Sequence, residues 1–64
     1  MTREQATKQA ISKTRETGLS HLVKENGIGG YIARMLMADA DRDHAVIEIE
    51  HISYLGQVVR IVEL

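Results

Sequence analysis

The sequence predicts an α+β domain in which N-terminal helices pack on a C-terminal antiparallel β-hairpin. Three observations support this fold class. A helix-capping pattern opens the chain, an Asn-Gly pair follows a short apolar segment, and two β-branched segments flank a short turn near the end. With 64 residues, the chain is predicted to form one domain, residues 1–64. Folding of so small a domain hides only about 60% of the surface that the unfolded chain exposes.

The first helix is predicted over 3–17. The opening letters TREQ form a capping box, in which the Thr2 side chain accepts from the backbone of Gln5 and the Gln5 side chain reaches back. A run of good helix formers follows. The helix should break near Gly18, because a helix continuing to Asn26 would be ~36 Å long, against a radius of gyration of ~11 Å for a domain of this size.

A second helix is predicted over 19–26, with the sequence LSHLVKEN, and it would turn its apolar side chains toward the core. This helix should end at Asn26 and Gly27. There the glycine can adopt the left-handed conformation of a Schellman motif, and Ile28 can fold back on Val23.

A third helix is predicted over 30–40, because apolar residues from 28 to 36 fall on one stripe at helical spacing. The alternative is a strand over 30–38, which would give a three-stranded sheet. The aspartates that follow favour this alternative, since negative charge is unfavourable at a helix C-terminus. We retain the helix as the first expectation.

The C-terminal third is predicted as a β-hairpin of strands 45–53 and 57–63, closed by the three-residue loop YLG. This register places an opposite-charge pair on one face and an apolar pair on the other. The two pairs are Glu50 with Arg60, and Ile49 with Ile61.

The two faces of the hairpin have different predicted roles. The face expected to form the core carries Ile47, Ile49, Val59 and Ile61. The other face is more apolar than a solvated surface needs, so we predict a protein interface there. Its residues are Ile52, Val58, Arg60, Val62 and Leu64. The alternative is that a helix of the same chain covers this face.

Composition favours self-association. Phe, Trp and Cys are absent, so the core is thin and disulfides and thiolate metal sites are excluded. Small domains without these reinforcements commonly associate with another chain. The charges are also uneven, with an excess of basic residues over 1–34 and of acidic residues over 35–64. The two halves of separate copies could therefore attract each other, and we expect a homo-oligomer.

Residues 19–38, if helical, have the outline of a DNA-binding motif. The residues that carry the pattern are Leu22 and Val23 in the first helix, Gly27 in the turn, and Ala33 and Leu36 on the buried side of the second helix. This segment resembles the helix-turn-helix of bacterial DNA-binding proteins. The resemblance implies a DNA-binding regulator, with contacts from Lys24, Tyr31 and Arg34.

No catalytic constellation is apparent in the sequence. It contains no nucleophile-elbow context and no complete glycine motif for phosphates, and we expect no enzymatic activity, cofactor or metal. It also lacks an apolar run of ~20 residues and a secretory signal, so we expect a cytoplasmic protein without membrane association. The leading expectation for function is a small non-enzymatic protein-binding or regulatory module that self-associates. The alternative is the DNA-binding regulator.

Overall fold

The computed structural model describes residues 1–52 and 58–64, which form one helix and four strands. The elements are α1 (Arg3–Thr17), β1 (His21–Glu25), β2 (Tyr31–Met35), a short 3₁₀ helix (Asp39–Arg42), β3 (Ala45–Ile52) and β4 (Val58–Glu63). The strands form one sheet in the order β2-β1-β3-β4, and every neighbouring pair is antiparallel. The predicted α+β class is confirmed.

Helix α1 begins and ends as its sequence predicts. The backbone N–H of Gln5 donates to Thr2 Oγ1 over 3.1 Å, and the Thr2 N–H donates to Gln5 Oε1 over 3.0 Å. Gly18 caps the C-terminus with a φ of 72°, in the left-handed region that glycine adopts without steric cost. The buried face consists of Ala6, Ala10 and Thr14, whose small side chains let the helix lie close to the sheet.

The prediction of a helix over 19–26 is wrong, because this segment supplies β1, one of the two central strands. Strand β1 pairs with β2 on one side and β3 on the other. Leu22 and Val23 are both fully buried although they point to opposite faces of the sheet. A strand buried on both faces loses the apolar-polar alternation that distinguishes strands in a sequence, and its short apolar run then also fits a helix.

Asn26 and Gly27 form a hairpin loop between β1 and β2 and do not end a helix. The Asn26 N–H donates to the Gly30 carbonyl over 3.0 Å. Asn26 Oδ1 accepts from the backbone N–H groups of Ile28, at 2.9 Å, and Gly30, at 3.0 Å. Gly27 does adopt a positive φ, of 84°, but this conformation turns one strand into the next.

Replacement of Asn26 by alanine is expected to lower the free energy of unfolding by about 1 kcal/mol, because two loop N–H groups lose their acceptor. Urea denaturation followed by circular dichroism measures the change. Asn26→Asp is the matched control, since a carboxylate oxygen can accept the same two bonds, and it should lose much less. Equal losses in the two variants would contradict this role.

The prediction of a helix over 30–40 is also wrong. The alternative of a strand in this segment is correct, but the sheet has four strands where three were expected. Strand β2 ends at Met35, and the 3₁₀ helix begins at Asp39. Asp41 Oδ2 accepts from the backbone N–H groups of Met37 and Ala38, each over 2.9 Å. Such local bonds from aspartate to the backbone compete with continuous helix.

The predicted register of the C-terminal hairpin is confirmed. Glu50 pairs with Arg60 and Ile49 with Ile61. Arg60 Nε donates to Glu50 Oε2 over 2.9 Å, so the opposite-charge pair forms as expected. The predicted loop YLG, together with the strand ends at 53 and 57, lies outside the described residues.

The core lies between α1 and the two central strands. It consists of Ala6, Ala10, Val23, Ile47 and Ile49, and Val59 packs against its margin. Ile61 lies on the predicted core face but is not buried in the core, because 53% of its surface is exposed. Strand β4 is at the edge of the sheet, where α1 leaves Ile61 partly uncovered. Within residues 1–52 and 58–64, no helix has the length and apolar character needed to cross a membrane.

Candidate protein-binding face

The sheet has one face toward α1 and one face away from it. Side chains alternate between faces along a strand, and directly paired residues of antiparallel strands share a face. Val23, Ile47 and Ile49 lie beneath α1. We call the opposite side the open face. The strand registers place on it Lys24, Ile32, Arg34, Glu50, Ile52, Arg60 and Val62.

The centre of the open face is covered by the chain that follows β2. Leu22 and Glu48 are paired neighbours on this face, yet Leu22 has no exposed surface and the Glu48 side chain is only 7% exposed. Residues 37–41 lie beside them and leave a cleft of about 270 Å³. The cleft is lined by Leu22, Lys24, Arg34, Met35, Met37, Ala38 and Asp41. The segment 37–42, hereafter the cover segment, therefore acts as a partial second layer.

Arg42 ties the cover segment to the sheet. Its Nε donates to Glu48 Oε1 over 2.7 Å, and its Nη1 donates to Asp39 Oδ1 over 2.6 Å. Hydrogen bonding to Glu48, and secondarily to Asp39, holds the pKa of the Arg42 guanidinium above its usual value. The buried carboxylate of Glu48 thus has a permanently charged partner.

The Asp41 side chain binds the backbone at the start of the cover segment. Hydrogen bonds from the Met37 N–H, followed by that of Ala38, lower the pKa of the Asp41 carboxyl. A carboxyl whose pKa is lower in the folded than in the unfolded state stabilises the fold at pH values above its unfolded pKa. That contribution is lost as the pH falls through the folded pKa. The cover segment is therefore held by an ionised aspartate at neutral pH.

The structure gathers three of the predicted interface residues on the open face. Ile52 and Val62 are half-buried there, and Arg60, on the same strand as Val62, has its guanidinium on Glu50. The backbone of Val58 pairs with that of Ile52, while the side chain of Val58 lies outside the described part of the chain. Leu64 follows β4 and is exposed. Helix α1 packs on the other face, so it does not cover this surface.

The residues predicted to contact DNA do not converge. Lys24 and Arg34 lie on the open face of neighbouring strands, whereas Tyr31 lies on the opposite face and packs against the core. Because residues 19–38 form two strands and their connections, the predicted helix-turn-helix is wrong, and this segment offers no recognition helix. Lys24 and Arg34 also lie across the cleft from the Asp41 carboxylate.

Sequence reasoning missed the residues that close the open face at its centre. Leu22 is distant in sequence from Arg42 and Glu48, and their approach depends on the chain folding back after β2. The available signal was the single arginine within DADRD, since a charge that folds onto a strand needs a carboxylate partner. That signal does not specify which carboxylate.

Comparisons of the chain with models of known protein families, with curated proteins and with solved structures found no match. In the described ranges, 1–52 and 58–64, no group of three or more His, Asp and Glu side chains could hold a metal ion.

Proposed function

We propose that the protein is a small non-enzymatic binding module that associates with itself and binds a protein partner through the open face. The main support is the incomplete layering of the sheet. Soluble domains bury the apolar side of a sheet against another layer. Here α1 supplies that layer on one face, and the cover segment covers only the centre of the other.

The composition of the open face fits a protein partner. Ile32, Ile52 and Val62 provide apolar contact area between charged side chains, and none of the three is fully buried. Ile52 and Val62 lie on β3 and β4, on one side of the covered centre, and Ile32 lies on β2, on its other side. Protein interfaces commonly combine apolar contact area with polar and charged side chains around it. Arg60 is already neutralised by Glu50, so its guanidinium can pack against a partner without being desolvated as a lone charge.

The DNA-binding alternative has weaker support. Duplex DNA attracts clusters of unpaired basic residues. The two basic side chains at the β1–β2 end of the open face, Lys24 and Arg34, face the acidic Asp41. Arg42 and Arg60 are held by carboxylates. We therefore favour a protein partner over nucleic acid.

Partner binding is tested with Ile52→Lys, which places a charge at the predicted contact surface. Proteins retained from a cell lysate by the immobilised wild-type protein should be identified and quantified, and each should bind the variant at least about tenfold more weakly. The matched control is Ile28→Lys, because Ile28 is 88% exposed at the tip of the β1–β2 loop. If the wild type, Ile52→Lys and Ile28→Lys retain the same partners in equal amounts, the open face does not bind them.

A further inference from the structure

Strand β4 presents an unpaired row of backbone groups on its outer side. The Leu64 N–H donates to the Val46 carbonyl over 3.1 Å, so residues 64 and 46 form a hydrogen-bonded pair. Hydrogen-bonded and non-hydrogen-bonded pairs alternate along an antiparallel ladder. The N–H and C=O groups of Val59, Ile61 and Glu63 therefore point away from β3, toward the edge of the sheet.

The other edge strand, β2, is partly occupied. By the same alternation, Tyr31, Ala33 and Met35 direct their backbone groups outward from β2. The Tyr31 N–H donates to the carbonyl of Met1 over 2.8 Å, so the N-terminal residue takes up the start of this edge. On β4, no backbone group from elsewhere in residues 1–52 and 58–64 makes an equivalent bond.

Strand β4 has few of the features that usually prevent edge strands from pairing. Proline, a bulge or an unpaired inward-pointing charge commonly protects an edge. The sequence VVRIVE has no proline, and its register with β3 is uninterrupted. Its arginine is held by Glu50, and its one other charge, Glu63, lines a cleft that the basic residues Arg3 and Lys8 also line. Ile61, which lies on the helix side of this edge, has 53% of its surface exposed.

We propose that a second copy of the chain pairs with β4, antiparallel, about a two-fold axis at Ile61. This proposal rests on the self-association in the proposed function and names the surface that performs it. The pairing would join the two copies into one eight-stranded sheet, four strands from each. Both helices would lie on one side, and both open faces would lie side by side on the other.

The register about Ile61 is the one that the strand itself favours. This register pairs the whole of 58–64 with the same residues of the second copy. Each residue whose backbone groups point outward lies opposite another such residue, so that Ile61 pairs with Ile61 and Val59 with Glu63. An axis at Arg60 would place two like charges directly opposite each other, which destabilises a sheet. An axis at Val62 would shorten the overlap to 60–64.

The helix side of β4 has room for the second copy. A cleft of about 530 Å³ lies between α1 and this edge, and it is lined by Arg3, Glu4, Thr7, Lys8, Ile47 and Glu63. In the proposed register, Val59 of the second copy lies next to Glu63, at the margin of this cleft. The two Ile61 side chains cover each other, which removes exposed apolar surface from both copies.

Opposite charges at position 61 test this two-fold register. Sedimentation of Ile61→Lys and of Ile61→Glu should each show association weakened by about a hundredfold or more, because like charges then face each other across the axis. An equimolar mixture should recover a one-to-one dimer through an opposite-charge pair. Met35→Lys is the matched control on the other edge strand, where Met35 is 39% exposed, and should associate like the wild type. Circular dichroism verifies that each variant folds.

A single cysteine provides an independent test. The Cα atoms of a hydrogen-bonded antiparallel pair are about 5.5 Å apart, within the span of a disulfide. Because the chain has no cysteine, oxidised Ile61→Cys should yield one cross-linked dimer, whereas Met35→Cys should not.

The outcomes separate this inference from the proposed function. Undiminished association of Ile61→Lys and Ile61→Glu, together with no cross-linking of Ile61→Cys, would overturn the edge pairing and leave self-association through another surface. A wild-type protein that is monomeric at every concentration would overturn self-association and the edge pairing together. Partner binding is decided separately, by Ile52→Lys.

Discussion

Replacement of Leu22 by alanine is expected to lower the free energy of unfolding by about 2–5 kcal/mol, the range for large-to-small substitutions of buried residues. Leu22 has no exposed surface, and among residues 1–52 and 59–64 it is, with Ile49, the largest fully buried side chain. Domains of ordinary stability have only about 5–15 kcal/mol in total. The variant should therefore be partly unfolded near physiological temperature.

The measurement is urea denaturation of the wild type and Leu22→Ala, followed by circular dichroism. The matched control is Ile28→Ala, because Ile28 is almost entirely exposed and its truncation should change the stability by no more than about 0.5 kcal/mol. If Leu22→Ala loses no more stability than this control, the cover segment does not bury Leu22 in solution.

Replacement of Arg42 by methionine is expected to lower the thermal midpoint by on the order of 10 °C, a large change for a domain of this size. The substitution leaves the Glu48 carboxylate against the cover segment without its guanidinium. A buried charge that loses its partner is strongly destabilising, whereas replacement of the whole pair by apolar residues is often neutral. Differential scanning calorimetry measures the midpoint.

The double variant Arg42→Met/Glu48→Leu distinguishes an unpaired charge from a simple loss of packing. It should regain most of the stability lost in Arg42→Met, since no carboxylate remains to be desolvated. Glu48→Gln alone should lose less than Arg42→Met, because its neutral amide can still accept from Arg42. A double variant at least as unstable as Arg42→Met would argue against the ion pair as the main anchor of the cover segment.

Local sequence patterns predicted the parts of the fold that depend on local interactions. The capping box at Thr2, the stop at Gly18 and the register of Glu50 with Arg60 all involve residues that are close in sequence. Their physical basis lies in hydrogen bonds or side-chain pairs that the letters display directly. These elements were sufficient to give the α+β class.

Strands β1 and β2 could not be recognised in the same way. Both Leu22 and Val23 are buried, Leu22 beside the cover segment and Val23 beneath α1, so both positions suit apolar residues. Nothing local to LSHLVKEN indicates that two distant segments will approach it from opposite sides. In β2, the small Ala33 and the charged Arg34 leave no clear alternation of period two.

The candidate interface was predictable only in part. Ile52, Arg60 and Val62 gather on one face because the hairpin register was correct. The exposure of Ile61 depends on how far α1 reaches across the sheet. Lys24 lies on the open face, next to the hairpin residues, only because of the long-range pairing of β1 with β3. Long-range placement of this kind is not encoded in residue spacing.

The strand order also determines how the chain is expected to fold. Strands β1 and β2, and likewise β3 and β4, are neighbours in sequence, and hairpins of this kind form in about 1–10 μs. Pairing of β1 with β3 costs more conformational entropy than either hairpin, because it closes a longer loop that contains residues 26–44. Helix α1 needs Val23 and Ile47 together to bury its alanines, so it docks only when the two hairpins meet. We therefore expect the pairing of β1 with β3 to form in the transition state for folding. Docking of α1 on the sheet should follow from that pairing.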